Sequence, residues 1–168
     1  MSESPASDCV QFLRGVEPRL RAYLYYAGAG REDMEDLVQE TCLKAHLHWG
    51  ELAGHPEPAA WVLLVARNLL RNRRKRVELE RRAVEARKPE AHRVDPRDPV
   101  ERAELSAAIQ EALAALPEAH REAVLGKIWG GLTWAQIGTH LGVSEDTAAR
   151  LFARGLRALR PKIGRFAS

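Results

Sequence analysis

Residues 133–157, TWAQIGTHLGVSEDTAARLFARGLR, decide the fold of the C-terminal half, because they predict two short helices around a tight turn. Thr133 and Ser144 are suited to cap the helix that follows each of them, since an N-cap hydroxyl accepts a backbone N–H of the first turn. Gly142 lies in the intervening turn. Two helices joined by a short turn that holds a glycine are typical of a helix-turn-helix, so these residues predict a DNA-binding element.

The second helix of this motif has one apolar face and one arginine face. Apolar residues at helical spacing predict a buried stripe of Ala148, Leu151, Phe152, Gly155, Leu156 and Leu159. The first turns of such a recognition helix approach base edges in the major groove. The candidate DNA-binding residues at the start of this helix are therefore Ser144, Glu145, Thr147, Ala149 and Arg150, and Arg154 farther along it and Thr133 before the first helix are added to them. A plain helical hairpin with a solvated arginine face is the alternative.

The rest of the chain also predicts helices. Sustained period-two alternation is missing, and alanine, leucine, arginine and glutamate, which favour helices, dominate the composition. Residues 88–99, KPEAHRVDPRDP, hold three prolines and no apolar periodicity, so they predict a linker. We expect an all-α protein with two small helical domains, residues 1–87 and 100–168. The predicted helices are approximately 9–27, 31–49 and 58–82 in the first domain, with a loop at 50–58, and 100–115, 117–130, 134–140 and 145–159 in the second.

Charge is unevenly distributed along the chain. Residues 61–93 hold eleven basic and four acidic residues, and residues 150–168 hold six basic residues and no acidic one. An excess of acidic residues precedes each basic block. Basic blocks supply sequence-independent attraction to nucleic-acid phosphates, so both predict contact with DNA or RNA. Simple solvation of helix faces is the alternative interpretation.

Four segments occur in order along the chain: DLVQET at 36–41, WVLLVARN at 61–68, LPEAHREA at 116–123, and the helix-turn-helix. Together they resemble the extracytoplasmic-function (ECF) sigma factors, the smallest members of the sigma-70 family. The resemblance covers nearly the whole chain. It implies a three-helix region 2 domain and a region 4 helix-turn-helix domain joined by a linker. It also implies a factor that binds core RNA polymerase and directs promoter-specific transcription initiation.

The resemblance assigns roles to particular residues. Region 2 docks on the β′ clamp helices of the polymerase, which implies contacts from Asp36, Leu37, Gln39 and Glu40. It also recognises and melts the minus-10 element, which implies DNA contacts from Trp61, Arg67, Asn68, Arg71 and Arg74. Region 4 reads the minus-35 element. There the chain departs from the family pattern, because Ala149 and Leu151 occupy positions where lysine and arginine are common, and Gly155 replaces a commoner alanine.

Other functions find little support in the sequence. No phosphate-binding loop, nucleophile elbow or zinc-protease motif is present, so we expect no enzyme activity, cofactor or metal. Cys42 and His46 have metal-ligand spacing, but two ligands do not make a structural zinc site. No apolar run is long enough to span a membrane, and Cys9 and Cys42 form no CxxC pair, so we expect a cytoplasmic protein.

The expected partners are core RNA polymerase and promoter DNA, and the resemblance allows an anti-sigma factor as a third. A free-standing helix-turn-helix regulator that binds duplex DNA without polymerase is the main alternative. A sigma-like interaction module without DNA function is another. The segments at 36–41 and 61–68 favour the sigma factor, since an ordinary repressor does not need them.

Overall fold

A computed structural model of the chain describes residues 5–83 and 100–164, with side chains from residue 7 and, after the gap, from residue 103. Every regular element in these ranges is a helix, which confirms the predicted all-α class. The helices are α1 (Pro5–Tyr26), α2 (Arg31–Leu47), α3 (Trp49–Leu52), α4 (Pro58–Ala83), α5 (Val100–Ala114), α6 (Glu118–Ile128), α7 (Trp134–Leu141) and α8 (Glu145–Ile163).

The helices form two compact units. The first contains most of α1 together with α2, α3 and α4, and the second contains α5 to α8. The predicted linker at 88–99 lies outside the described residues. The division into two helical units is as predicted from the sequence.

Residues 5–83 form four helices, whereas the sequence predicted three for the first domain. The second helix ends at Leu47, and the short helix α3 then occupies the start of the predicted loop. Leu52, the last residue of α3, is buried, so this extra turn adds one apolar side chain to the core. The core is formed by leucines of α1, α2 and α4 with smaller neighbours, chiefly Leu20, Leu24, Leu37, Thr41, Val62 and Leu63.

Helix α4 follows its apolar pattern closely. Ala66 and Leu70 are buried at helical spacing after Val62, and they direct one face of α4 toward α2. Pro58 begins the helix, where its missing N–H has no helical partner to lose. The helix then continues through the basic stretch to Ala83.

The second domain packs α6 and α7 against α8, with α5 beside them. Its core includes Leu113, Val124, Leu125, Ile137, Ala148 and Leu159. The apolar stripe of α8 is narrower than predicted, because Leu156 is 37% exposed. Helix α8 approaches α6 closely at Gly155, and the next residue, Leu156, therefore turns away from that contact.

Candidate nucleic-acid interface

Helix α2 uses some of its acidic residues to hold the first domain together. Glu35 accepts hydrogen bonds from both terminal nitrogens of Arg21 on α1, at 2.7 and 3.1 Å. The guanidinium also donates to Glu17, at 2.8 Å. Hydrogen bonding to Arg21 lowers the pKa of Glu35, and the two carboxylates raise the pKa of Arg21 above its usual range. The carboxylates of Glu17 and Glu35 are therefore already hydrogen-bonded within the domain.

Other exposed polar residues on α2 lie outside this ion pair. Asp36, Gln39 and Glu40 are all exposed, as a docking surface requires. Leu37, in contrast, is 0% exposed, which corrects its assignment as a polymerase contact. Its carbonyl accepts a 2.6 Å hydrogen bond from the buried Thr41 hydroxyl, so this side of α2 belongs to the core.

Two apolar residues extend the exposed face of α2. Leu43 and Leu47 are both exposed, and with Asp36 and Glu40 they follow the spacing i, i+4, i+7 and i+11. That spacing places all four residues along one side of the helix. The sequence analysis did not assign these leucines to the docking surface. The signal was present, since both lie on the same helical stripe as the acids of the DLVQET segment.

Helix α4 presents only part of its basic sequence to solvent. Asn68, Arg71 and Arg74 are exposed, in keeping with the predicted DNA-facing role. Arg67 is 8% exposed and belongs to the buried face of α4, so as folded it does not present its guanidinium to DNA. Arg73 is directed toward α2, where it pairs with Asp33 at 2.8 Å.

Aromatic residues lie near the start of α4. Trp61 is half-buried, and its ring centroid lies 5.9 Å from that of His48. In the loop before α4, Nδ1 of His55 accepts a 2.9 Å hydrogen bond from the backbone N–H of Glu57. Trp61 therefore combines packing within the domain with partial exposure, and a stacking surface for a base needs that exposure.

The helix-turn-helix forms as its capping signals predicted. The Thr133 hydroxyl accepts from the backbone N–H of Gln136, and the Gln136 side chain accepts from the N–H of Thr133, which completes a capping box around the start of α7. Gly142 ends α7 with a left-handed φ of 69°. Ser144 then caps α8 by accepting from the N–H of Thr147.

Three hydroxyl side chains that the sequence predicted to contact DNA form hydrogen bonds at these helix ends. The Ser144 and Thr147 hydroxyl oxygens lie 2.9 Å apart, and the Ser144 oxygen already accepts a backbone N–H. The Thr133 oxygen is engaged in its capping box in the same way. All three hydroxyls therefore have hydrogen-bond partners within the helix-turn-helix.

The charged residues of α8 are the ones available on its outer side. Glu145, Arg150, Arg154 and Arg157 are exposed, and Ala149 is half-buried beside them. Arginine can bind the acceptor edge of guanine with two hydrogen bonds, and glutamate can accept from the amino group of cytosine. The exposed surface of α8 therefore combines base-reading chemistry at its start with cations farther along.

Gly155 lets α8 approach α6 closely. A Cβ at this position would lie 2.7 Å from Cγ2 of Val124 and 3.2 Å from the carbonyl oxygen of His120. Val124 is fully buried, so it has little freedom to move away. The glycine that departs from the family pattern thus has a packing reason in this chain.

The structure offers little support for other chemistry. Burial raises the pKa of the Cys9 and Cys42 thiols, which disfavours the reactive thiolate. Within residues 5–83 and 100–164, no three His, Cys, Asp or Glu side chains are grouped to hold a metal ion. None of the helices described is both long enough and apolar enough to cross a membrane.

Comparison with known proteins identifies both halves of this architecture. Residues 12–79 match the family described as Sigma-70 region 2, and residues 106–159 match Sigma-70, region 4. The first match spans the acidic face of α2 and the exposed positions of α4. The second spans the helix-turn-helix.

Two curated relatives match over most of their length. ECF RNA polymerase sigma factor SigF of Caulobacter vibrioides is 34% identical over 155 residues, which cover 91% of this chain and 83% of that protein. ECF RNA polymerase sigma factor SigL of Mycobacterium tuberculosis is 32% identical over 127 residues, which cover 75% of this chain and 72% of that protein.

A solved structure has the same fold. The sigma factor RpoE of Bartonella quintana, crystallised with the anti-sigma factor NepR, aligns with a TM-score of 0.76. The alignment covers 94% of this chain and 97% of RpoE, at 21% sequence identity. At that identity the similarity concerns the fold.

Proposed function

Because the chain belongs to the ECF sigma factors of the sigma-70 family, we propose that its two domains divide polymerase docking and promoter recognition between them. The protein binds core RNA polymerase and directs it to promoter DNA. Sigma factors are generally regulators without enzyme activity. We propose that this chain too leaves nucleotide chemistry to the polymerase, and that it acts in the cytoplasm, where that enzyme works.

The exposed side of α2 is the proposed docking surface for the polymerase. It consists of Asp36, Gln39 and Glu40, followed by Leu43 and Leu47 on the same helical stripe. The acids suit a basic partner surface, and charge complementarity of this kind guides association. The exposed leucines add apolar area that becomes favourable once a partner covers it. The β′ clamp helices of the polymerase are the proposed partner.

The exposed side of α4 is proposed to act on the opened minus-10 element. Asn68, Arg71 and Arg74 provide an amide for base edges and cations for phosphates. Trp61 is proposed to stack on a base that has left the duplex. Binding of single-stranded DNA commonly combines a basic surface with aromatic stacking, and these residues offer both.

The exposed side of α8 is proposed to read the minus-35 duplex. Glu145 and Arg150 lie within its first two turns, where a recognition helix contacts base edges. Arg154 lies one turn farther on and is proposed to contact phosphate. Ala149 lies between Glu145 and Arg150 in sequence, and its methyl group is suited to contact with the methyl group of thymine.

An anti-sigma factor is a further proposed partner. B. quintana RpoE, which has this fold, is bound by the anti-sigma factor NepR in its crystal structure. Co-purification from the native bacterium would identify such a partner, and stable polymerase binding in its presence would argue against inhibition.

One observation carries the proposal. The chain matches regions 2 and 4 on two separate domains, and each domain exposes charged residues where its proposed role requires them. A free-standing regulator would have no need of region 2. Family membership therefore favours the polymerase-dependent function over that alternative.

Reconstitution with bacterial core polymerase tests the proposal. The full chain should direct specific transcripts that core polymerase alone does not make. Asp36→Lys and Glu40→Lys together should weaken core binding, with helicity unchanged by circular dichroism. Unchanged affinity in a titration would remove α2 as the docking surface.

A separate variant tests the proposed role of Asn68 in promoter melting. Asn68→Ala should leave core binding intact and reduce opening of the promoter, as detected by permanganate reactivity of unpaired thymines. Normal opening by this variant would contradict the role assigned to Asn68.

A further inference from the structure

Arg73 differs from its basic neighbours on α4 in the direction of its side chain. Its side chain is 19% exposed, whereas Arg71 and Arg74 are exposed residues. Arg73 follows the buried Leu70 by three residues and the buried Ala66 by seven, so it continues the core-facing stripe of α4. One arginine of the basic stretch is therefore turned toward the domain.

The partners of Arg73 are two aspartates on α2. Its Nη1 donates to Oδ1 of Asp33 at 2.8 Å and lies 3.9 Å from Oδ2 of Asp36. Asp33 and Asp36 are one helical turn apart, and 40 positions in sequence separate Asp33 from Arg73. A short charge-assisted hydrogen bond that is partly buried is stronger and less screened than a surface ion pair. It connects α2 directly to α4.

We propose that Arg73 is a positioning residue that fixes the DNA-facing side of α4 relative to the polymerase-docking side of α2. The inference rests on the proposed function, since it takes both surfaces as assigned there. Arg73 itself touches neither partner in this scheme. It holds Asn68 and Arg71 at a defined place with respect to the polymerase, and opening of the promoter depends on that placement.

Asp36 belongs both to the proposed docking surface and to the pair of aspartates that faces Arg73. Its side chain is 69% exposed, and its contact with Arg73 is the longer of the two. A basic group of the polymerase can therefore bind Asp36 while Arg73 keeps its 2.8 Å bond to Asp33. Docking and the connection between the helices are compatible, so Arg73 can act within the complete polymerase complex.

The test compares Arg73→Met, Asp33→Asn and the double variant in the full chain with core polymerase. Each single variant should reduce the rate of promoter opening about tenfold, and core affinity should stay within about twofold. The double variant should lose no more than either single variant, because both changes remove the same interaction. Arg73→Lys should recover part of the loss, since it keeps the charge. Permanganate reactivity measures opening, and a fluorescence titration measures core affinity.

The sign of the Asp33→Asn effect separates positioning from direct DNA binding. If Arg73 were a phosphate ligand restrained by Asp33, releasing it would strengthen promoter binding. Stronger binding, or additive losses in the double variant, would overturn the proposal. Parallel losses of core affinity and opening, with a lower melting temperature for the nearly isosteric Asp33→Asn, would overturn it as well by showing a purely structural role.

Two further variants separate this proposal from the proposed function. Arg74→Met is the matched control in the same basic stretch, and it should reduce the salt dependence of promoter binding without the coupling to Asp33. Arg71→Ala tests the DNA role of α4 directly. If Arg71→Ala leaves opening unchanged, the assignment of α4 is wrong. If Arg71→Ala impairs opening and Arg73→Met does not, the positioning role is wrong.

Discussion

The two helices proposed to face DNA, α4 and α8, are held in their domains by different chemistry. Helix α8 contacts α6 through a glycine, and Arg150, Arg154 and Arg157 are all left exposed. On helix α4, in contrast, Arg67 lies on the buried face and Arg73 forms an ion pair with Asp33 of α2. The number of basic residues on a helix is therefore not the number of its DNA contacts, because some cations serve the fold.

Gly155→Val should have the largest effect, because it breaks the contact on which α8 depends. A Cβ would already lie 2.7 Å from Val124, and the branched side chain adds two more carbon atoms. We expect a loss of about 3 kcal/mol in the unfolding free energy of the second domain. Urea denaturation of the full chain, followed by circular dichroism, measures it. Gly15→Val is the control, since nothing lies within 4 Å of a Cβ at Gly15, and an equal loss there would refute the packing argument.

Replacing exposed arginines of α8 should weaken DNA binding and leave folding intact. Arg150→Ala should cost about 1–3 kcal/mol on the preferred site and relax the preference at one base position. Arg154→Ala should weaken all sequences alike and lower the salt slope by about one. Competition binding of polymerase complexes to a library of minus-35 variants distinguishes the two. Identical sequence preferences for both variants would remove Arg150 as a base-reading residue.

Ser144→Ala should have a smaller effect, and on stability before specificity. The substitution removes the oxygen that accepts the N–H of Thr147, so we expect a loss of about 1 kcal/mol in unfolding free energy. Ser144→Asp keeps a capping oxygen and should recover most of that loss. A changed base preference with undiminished stability would restore the DNA-contact role predicted from the sequence.

The smallest expected effect concerns the ion pair of Glu35 with Arg21 in the first domain. Because the pKa of Glu35 is lowered, the pair contributes fully to stability at pH values above 4.5, the ordinary pKa of glutamate. This contribution is lost as the pH falls through the lowered pKa. Glu35→Gln should therefore reduce the drop in melting temperature on acidification. Glu40→Gln serves as the control because it lies outside the pair. Identical pH profiles for wild type and Glu35→Gln would show that the pair contributes nothing.

The sequence predicted the features that local signals determine. Thr133, Gly142 and Ser144 mark the ends of α7 and α8 through their own backbone and side-chain chemistry, and the structure confirms all three. The two-domain helical architecture followed from the helix-favouring composition and the proline-rich residues 88–99, and the family resemblance followed from four segments in order along the chain.

Features that depend on distant partners escaped sequence analysis. Leu37 and Arg67 were assigned to binding surfaces, yet both are buried, because the orientation of their helices is set by packing across the domain. The pair between Arg73 and Asp33 joins positions 40 residues apart, and no periodicity within either helix predicts it. The short helix α3 was also missed, since four residues leave no repeating pattern.

The separation between the packing side and the outer side of α8 has an evolutionary consequence. Gly155 and the capping Ser144 hold the helix in place, while positions 145, 149 and 150 lie toward its outer surface. Surface substitutions usually change the unfolding free energy by less than about 0.5 kcal/mol, so these positions can change with little penalty to folding. After a gene duplication, a few such changes at the positions proposed to read the minus-35 element would give the copy a different set of target genes, while it still competes for the same pool of polymerase.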